Sequence, residues 1–180
     1  MSRIGKLPIS IPAGVTVNVE GRVVKVKGPL GQLEQKIDSG VINVKAEDGR
    51  IVVSRAAENK PARSKHGLYR ALIANMVTGV TQGFSRTLIV NGVGYKCAVN
   101  GNKLTMNIGY SHPVDIIAPN DIKITCVNPL EIKVEGISKE KVGHTAAKIR
   151  AAKPVEPYHS YGVRYSDEVV IKKEGKTAGK

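Results

Sequence analysis

Residues 154–165 read Pro-Val-Glu-Pro-Tyr-His-Ser-Tyr-Gly-Val-Arg-Tyr and carry three of the chain's six tyrosines beside a histidine and an arginine. Aromatic faces next to cations suit unpaired nucleotides: bases stack on the rings and phosphates meet the positive charge. The same residues also suit a turn whose tyrosines brace a small core, because tyrosine serves both purposes. A basic amphipathic segment, Lys139 to Lys153, lies just upstream, and Lys172 and Lys173 follow. For a polyanion, Lys139, Lys141, Lys148, Arg150 and Lys153 supply phosphate contacts. Tyr158, Tyr161 and Tyr165 stack or brace, with His159 and Ser160 between them. Arg164 clamps backbone, and Lys172 and Lys173 extend the contact. Positions 139, 141 and 150 do not share one helical face, so some of these cations must point elsewhere. Tyr165 has the strongest claim of the three tyrosines to a core position.

Other chemistry finds little support. His112, before Pro113, is either a lone base or a turn histidine, and no reacting group has an evident partner. Gly92-Val-Gly94 lacks the third glycine and the following helix of a dinucleotide loop, and Gly28-Pro-Leu-Gly31 lacks the Lys-Ser/Thr of a phosphate loop. Cys97 and Cys126 have no Cys-x-x-Cys spacing, and with four scattered histidines they make no zinc site. Buried thiols of a cytosolic protein are expected. No catalysis, cofactor or metal is expected.

Charge points to the partner. The chain has 28 Lys+Arg against 15 Asp+Glu, a net charge of +13. A polyanion is the natural counterpart of so large an excess. Residues 1–81 hold +7, residues 82–136 only +1, and residues 137–180 +5. The positive charge of the second half therefore sits on its last helix, the tyrosine-rich loop and the tail. In the first half it is spread out, with Arg3, Lys6, Lys60, Arg63, Lys65 and Arg70 as a possible second patch. No apolar run spans a membrane, and Trp is absent, which weakens a membrane-surface role. The N-terminus shows no apolar signal core, so no export is expected.

The elements that must position these residues read as a duplication. Val15 to Val19 alternates, Glu20-Gly21 turns, and Val24 and Val26 continue on the partner strand. Gln32 to Ile37 is extended; Val41 to Lys45 and Arg50 to Ser54 flank the hairpin signal Asp48-Gly49. Asn59 caps a helix with Pro61 in its first turn, and Leu68, Leu72, Ile73, Met76, Val77 and Val80 recur at helical spacing. The second half repeats the order. Strands are expected at Thr87 to Val90, Val93 to Val99, Lys103 to Ile108, Val114 to Ala118, Ile122 to Val127 and Leu130 to Val134. A helix capped by Ser138 ends before Pro154, with an apolar stripe of Val142, Ala146 and Ile149. A strand is expected to begin at Val169. His66 aligns loosely with His144, which places Arg70 over Lys148. The expectation is an α+β protein of two similar tandem domains, each a small, mostly antiparallel sheet covered on one face by a helix. The expected boundaries are 1–82, 83–173 and a basic tail at 174–180.

Several motifs in order resemble one family. They are Ser2-Arg-Ile-Gly-Lys-Leu-Pro-Ile-Ser-Ile-Pro-Ala-Gly-Val, Val26-Lys-Gly-Pro-Leu-Gly-Gln-Leu33, Asn91-Gly-Val-Gly-Tyr-Lys96, Gly109-Tyr-Ser-His-Pro-Val114 and Val134-Glu-Gly-Ile-Ser-Lys-Glu-Lys-Val-Gly143. Together they resemble bacterial large-subunit ribosomal protein six over nearly the whole chain. The resemblance implies attachment to 23S rRNA mainly through the C-terminal domain. It also implies a place beside other large-subunit proteins near the stalk base, where translational GTPases dock, on cytoplasmic or organellar ribosomes. The residues singled out above would then be rRNA contacts. One loop departs from the family: its Glu-Pro-Tyr-Lys-Gly-Lys-Gly is here Glu156-Pro-Tyr-His-Ser-Tyr-Gly162. Histidine and tyrosine in place of two lysines imply less counterion release and more stacking, and His159 would make the contact pH-dependent. The alternative is a free-standing RNA-binding module or RNA chaperone.

Overall fold

The computed structural model describes residues 3–47 and 49–176. They fall into two compact units: residues up to Phe84 with Ile137–Lys139, and Ser85–Gly136 with the residues from Glu140 onward. Each unit is α+β and holds two small sheets and one helix.

In the first unit the strands are β1 (Ile9–Ser10), β2 (Thr16–Glu20), β3 (Val23–Gly28), β4 (Gly31–Lys36), β5 (Ile42–Glu47) and β6 (Arg50–Arg55), followed by α1 (Lys60–Thr81). They form antiparallel sheets ordered β1-β6-β5 and β2-β3-β4. Alternation along β3 sends Val24 and Val26 inward, where both are fully buried. Asp48 lies outside the described residues, but Glu47 pairs with Arg50 and Gly49 has φ +72°, as the hairpin signal requires.

Asn59 starts α1 as expected: its side-chain oxygen accepts from the Ala62 N–H at 2.9 Å, and Pro61 sits in the first turn. The helix lies against strands of both sheets, and Tyr69, Ile73, Met76, Val77 and Val80 join Ile9, Val24, Val26, Ile37, Ile42, Ile51 and Val53 in one core. Leu68 does not belong to the buried stripe. It is exposed, and Ala62, His66 and Tyr69 are buried instead. His66 is held there because Nε2 meets the Val53 carbonyl at 2.8 Å and Nδ1 meets the Arg55 guanidinium at 3.0 Å.

The second unit is built from β7 (Phe84–Asn91), β8 (Lys96–Asn100), β9 (Lys103–Asn107), β10 (Val114–Ile117), β11 (Ile122–Asn128), β12 (Glu131–Gly136), α2 (Lys139–Ala152) and β13 (Gly162–Tyr165). Its sheets are ordered β10-β9-β8 and β11-β12-β7-β13. Val142, Thr145, Ala146 and Ile149 are the buried stripe of α2, at the i, i+3, i+4, i+7 spacing of one helical face. Cys97 and Cys126 are free thiols. Burial, with Cys126 nearby, pushes the Cys97 thiol up to about 12, which leaves it protonated and inert.

Two strand expectations need correction. Gly92–Tyr95 is a turn rather than the start of a strand, and Val93 is fully open to solvent at 84% exposure. The chain from Glu168 to Lys176 forms no strand; the last one is β13, inside the segment expected to be irregular. Val169 and Ile171 are exposed, so β propensity there found no sheet edge to join. Of the expected tail, residues 177–180 lie outside the described residues.

Candidate nucleic-acid interface

The segment after α2 is held in shape by its backbone. Pro154 stops the helix, and the chain returns at once to pair with β7 through β13, from Gly162 opposite Asn91 to Tyr165 opposite Leu88. Three hydrogen bonds close the intervening loop at its base. The Val163 N–H donates to Lys153 at 2.8 Å, the Glu156 N–H to Tyr161 at 3.0 Å, and the Asn91 side-chain amide to the Ser160 carbonyl at 2.9 Å. A fourth, from the Lys173 N–H to Pro157 at 2.9 Å, ties the tail across the loop. Gly162 is required here. Its φ is +137°, and a Cβ would lie 2.7 Å from the Pro154 carbonyl oxygen and 2.8 Å from that of Lys153.

On this frame Tyr158 and His159 are exposed and Tyr161 is half-buried. The His159 and Tyr161 rings stack with centroids 5.4 Å apart and planes 20° from parallel. His159 Nδ1 is 3.5 Å from the Glu156 carboxylate, so protonation of the imidazole would complete an ion pair within the loop. Ser160 is placed differently from the rings on either side of it. Its φ of +61° turns the side chain inward, where it is buried, and its hydroxyl has no hydrogen-bond partner.

The cations divide into two sets. Arg150 donates through Nε to Glu168 at 2.8 Å and through a second nitrogen to the other carboxylate oxygen. Glu168 also accepts from the Tyr165 N–H at 3.1 Å, while Arg164 donates to the Glu168 carbonyl at 3.1 Å. The Arg150 hydrogen bond, helped by the Tyr165 N–H and by the charges of Arg150 and Arg164, holds the Glu168 carboxyl down at about 2 against a desolvation penalty. Tyr165 lies between two guanidinium groups, Arg86 and Arg150, each 5.7 Å from its ring centre, and Arg86 pairs with Asp167 at 3.0 Å. Arg150, Arg164 and Tyr165 thus build the wall behind the loop. Lys141 pairs with Asp121, and Lys139 belongs with the first unit.

The second set faces outward. Lys148, Lys172 and Lys173 are exposed and have no ion-pair partner among the described residues. Lys153 is half-buried and its ammonium sits 4.4 Å from the Tyr110 ring centre. Tyr110 and His112 were not singled out by the sequence as ring partners of a cation. They lie between β9 and β10, far from the loop in sequence, and only the fold brings Tyr110 to Lys153. Among the described residues no cluster of histidine, cysteine or carboxylates is arranged to hold a metal, and no helix is long and apolar enough to cross a membrane.

The family description "Ribosomal protein L6" matches the chain twice, over residues 11–83 and again over 91–166. That repetition agrees with the two α+β units. A protein of Synechococcus elongatus named "Large ribosomal subunit protein uL6" is 53% identical over 180 residues, covering all of both chains. Its namesake in Clostridium perfringens is 52% identical over 178 residues, covering 98% of this chain and 99% of its own. One in Synechocystis is 51% identical over 180 residues, again covering all of both. These relatives are named as ribosomal proteins and not as enzymes. With a match in each half and relatives this similar from end to end, the chain belongs to the ribosomal protein L6 family.

Proposed function

We propose that this chain is a structural constituent of the large ribosomal subunit and binds 23S rRNA chiefly through its second unit. The observation that carries this is the exposed Tyr158 and the His159–Tyr161 ring stack on a loop closed by backbone hydrogen bonds, in a unit that also exposes Lys148, Lys172 and Lys173 without ion pairs among the described residues. Rings held in place bind bases without the entropic cost of ordering them first, and lysines of the same unit neutralise phosphate. Lys139 and Lys141 add phosphate contacts at the start of α2. Arg150, Arg164 and Tyr165 act from behind by holding the loop against β7, with any RNA contact confined to their exposed edges. The full-length relatives, named as large-subunit proteins, support a place on the ribosome; the motif resemblance extends that reading to the stalk base, where translational GTPases dock, in the cytoplasm. Neighbouring large-subunit proteins are then its protein partners.

The test is sedimentation of the tagged chain from lysate on sucrose gradients at moderate and high salt. Stoichiometric, salt-resistant migration with the large subunit is the expected outcome. Migration at the top of the gradient, or association stripped by modest salt, would instead indicate a free RNA-binding module or chaperone.

A further inference from the structure

Tyr110 and His112 stand on the connection between β9 and β10, which Tyr95 braces. A Cβ on Gly109, whose φ is +77°, would come within 3.0 Å of the Tyr95 hydroxyl, and one on Gly92 within 2.5 Å of the Tyr95 ring. Tyr95 thus packs across both glycines and fixes the backbone from which Tyr110 projects. Tyr110 is fixed at its far end too, where its hydroxyl donates to the Ala152 carbonyl at 3.1 Å. The residue nonetheless stays 46% exposed. His112 is exposed, its ring lies 18° from parallel with that of Tyr110 at a centroid distance of 6.2 Å, and it has no hydrogen bond among the described residues. The ammonium of Lys153 is 4.4 Å from the Tyr110 ring centre, and Lys148, without an ion pair among the described residues, is on the same face of α2 as Ala152, one turn back.

A tyrosine that only capped the helix would gain by burying its ring. Here the hydroxyl is satisfied while much of the residue stays in water, with a second ring beside it and two cations within reach. We infer that Tyr110 and His112 form a second stacking shelf for an unpaired base of RNA, with Lys153 and Lys148 taking the adjoining phosphates. Rings held near-parallel accept any base by its face, and a cation beside them meets the phosphate that the base brings along. The inference rests on the RNA-binding function proposed above and adds a site separate in sequence from the tyrosine-rich loop.

The test is binding of the full chain to a 23S rRNA transcript, with ultraviolet cross-links mapped to peptides. The expected result is a cross-link at Tyr110 or His112, with affinity about tenfold to a hundredfold lower for Tyr110→Leu, lower for His112→Ala, and unchanged for Tyr110→Phe. His112→Ala removes an exposed ring without a hydrogen bond, so it stays informative if Tyr110→Leu fails to fold. Wild-type affinity in Tyr110→Leu or His112→Ala overturns the shelf and leaves rRNA binding intact. Equal losses in Tyr110→Phe and Tyr110→Leu would mean the tyrosine acts through its hydroxyl, which also overturns it. If the unchanged chain does not bind the transcript, both the shelf and the rRNA reading fall.

Discussion

Replacing Ser160 with glycine should make this protein more stable. Ser160 is the only residue other than glycine with positive φ among the described residues, at +61°, and it is buried with an unpartnered hydroxyl. A side chain in the left-handed region costs about 1–2 kcal/mol, and a buried hydroxyl without a partner costs about 1–3 kcal/mol. Glycine removes both and gives back about 0.5–1 kcal/mol through the greater freedom of the unfolded chain. The net gain is about 1–4.5 kcal/mol, or roughly 2–18 °C in Tm at the 2–4 °C per kcal/mol expected for a chain of this length. The family signature carries glycine at this position. The hydrogen bond from Asn91 to the Ser160 carbonyl involves only backbone at residue 160, so the loop should keep its shape and its affinity for RNA. Calorimetric unfolding of Ser160→Gly beside the unchanged chain measures the effect. A Tm equal to or below that of the unchanged chain would refute the strain account of this loop.

Gly162→Ala should act in the opposite sense: its Cβ meets backbone rather than flexible side-chain ends, so loss of about 1–3 kcal/mol and weaker RNA binding are expected in unfolding and binding assays. Glu168→Gln should cost about 1–2 kcal/mol at neutral pH. The fall of the carboxyl from 4.5 to about 2 corresponds to roughly 3 kcal/mol in full, which solvent screening of a side chain 24% exposed reduces. A depressed pKa stabilises above the unfolded value, so the gap between Glu168→Gln and the unchanged chain should hold above pH 4.5 and close as pH falls toward 2, as acid unfolding curves would report. Lys172→Ala and Lys173→Ala should each lower the slope of log affinity against log salt by about 1 without altering sequence preference, measured by RNA titration at several salt concentrations.

Local rules were readable where they act alone. The Asn59 cap, the stripe of Val142, Ala146 and Ile149, and the alternation of β3 depend on a few neighbouring residues, and each stands where its pattern placed it. Leu68 met the helical spacing but lost its place because His66 and Tyr69 have partners inside: Val53 and Arg55 for the one, and the Asp38 N–H, which donates to the Tyr69 hydroxyl at 2.9 Å, for the other. Val169 to Lys173 had strand propensity without a partner edge, and propensity alone does not make a strand. The split among the cations was equally hidden. Arg150 and Lys148 are two residues apart and look alike in sequence, yet Glu168, eighteen residues on, claims one and leaves the other free.

The two helices also differ in how they use a histidine and a cation, His66 and Arg70 on α1 and His144 and Lys148 on α2. In the first unit both are committed to the fold: His66 is buried against Val53 and Arg55, and Arg70 donates to the Leu7 carbonyl at 3.1 Å and to that of Pro8 at 3.4 Å. In the second unit His144 and Lys148 are both exposed. The reason lies in what each helix buries. Helix α1 packs bulky residues such as Tyr69, Ile73 and Met76 together with its polar partners, whereas α2 closes its core with Val142, Thr145, Ala146 and Ile149. A narrow apolar stripe leaves most of the α2 circumference to solvent, and cations on it are available to a ligand. Helix α1 thus spends its histidine and cation on its own unit, whereas α2 leaves His144 and Lys148 at the surface, as the proposed phosphate contact requires of Lys148.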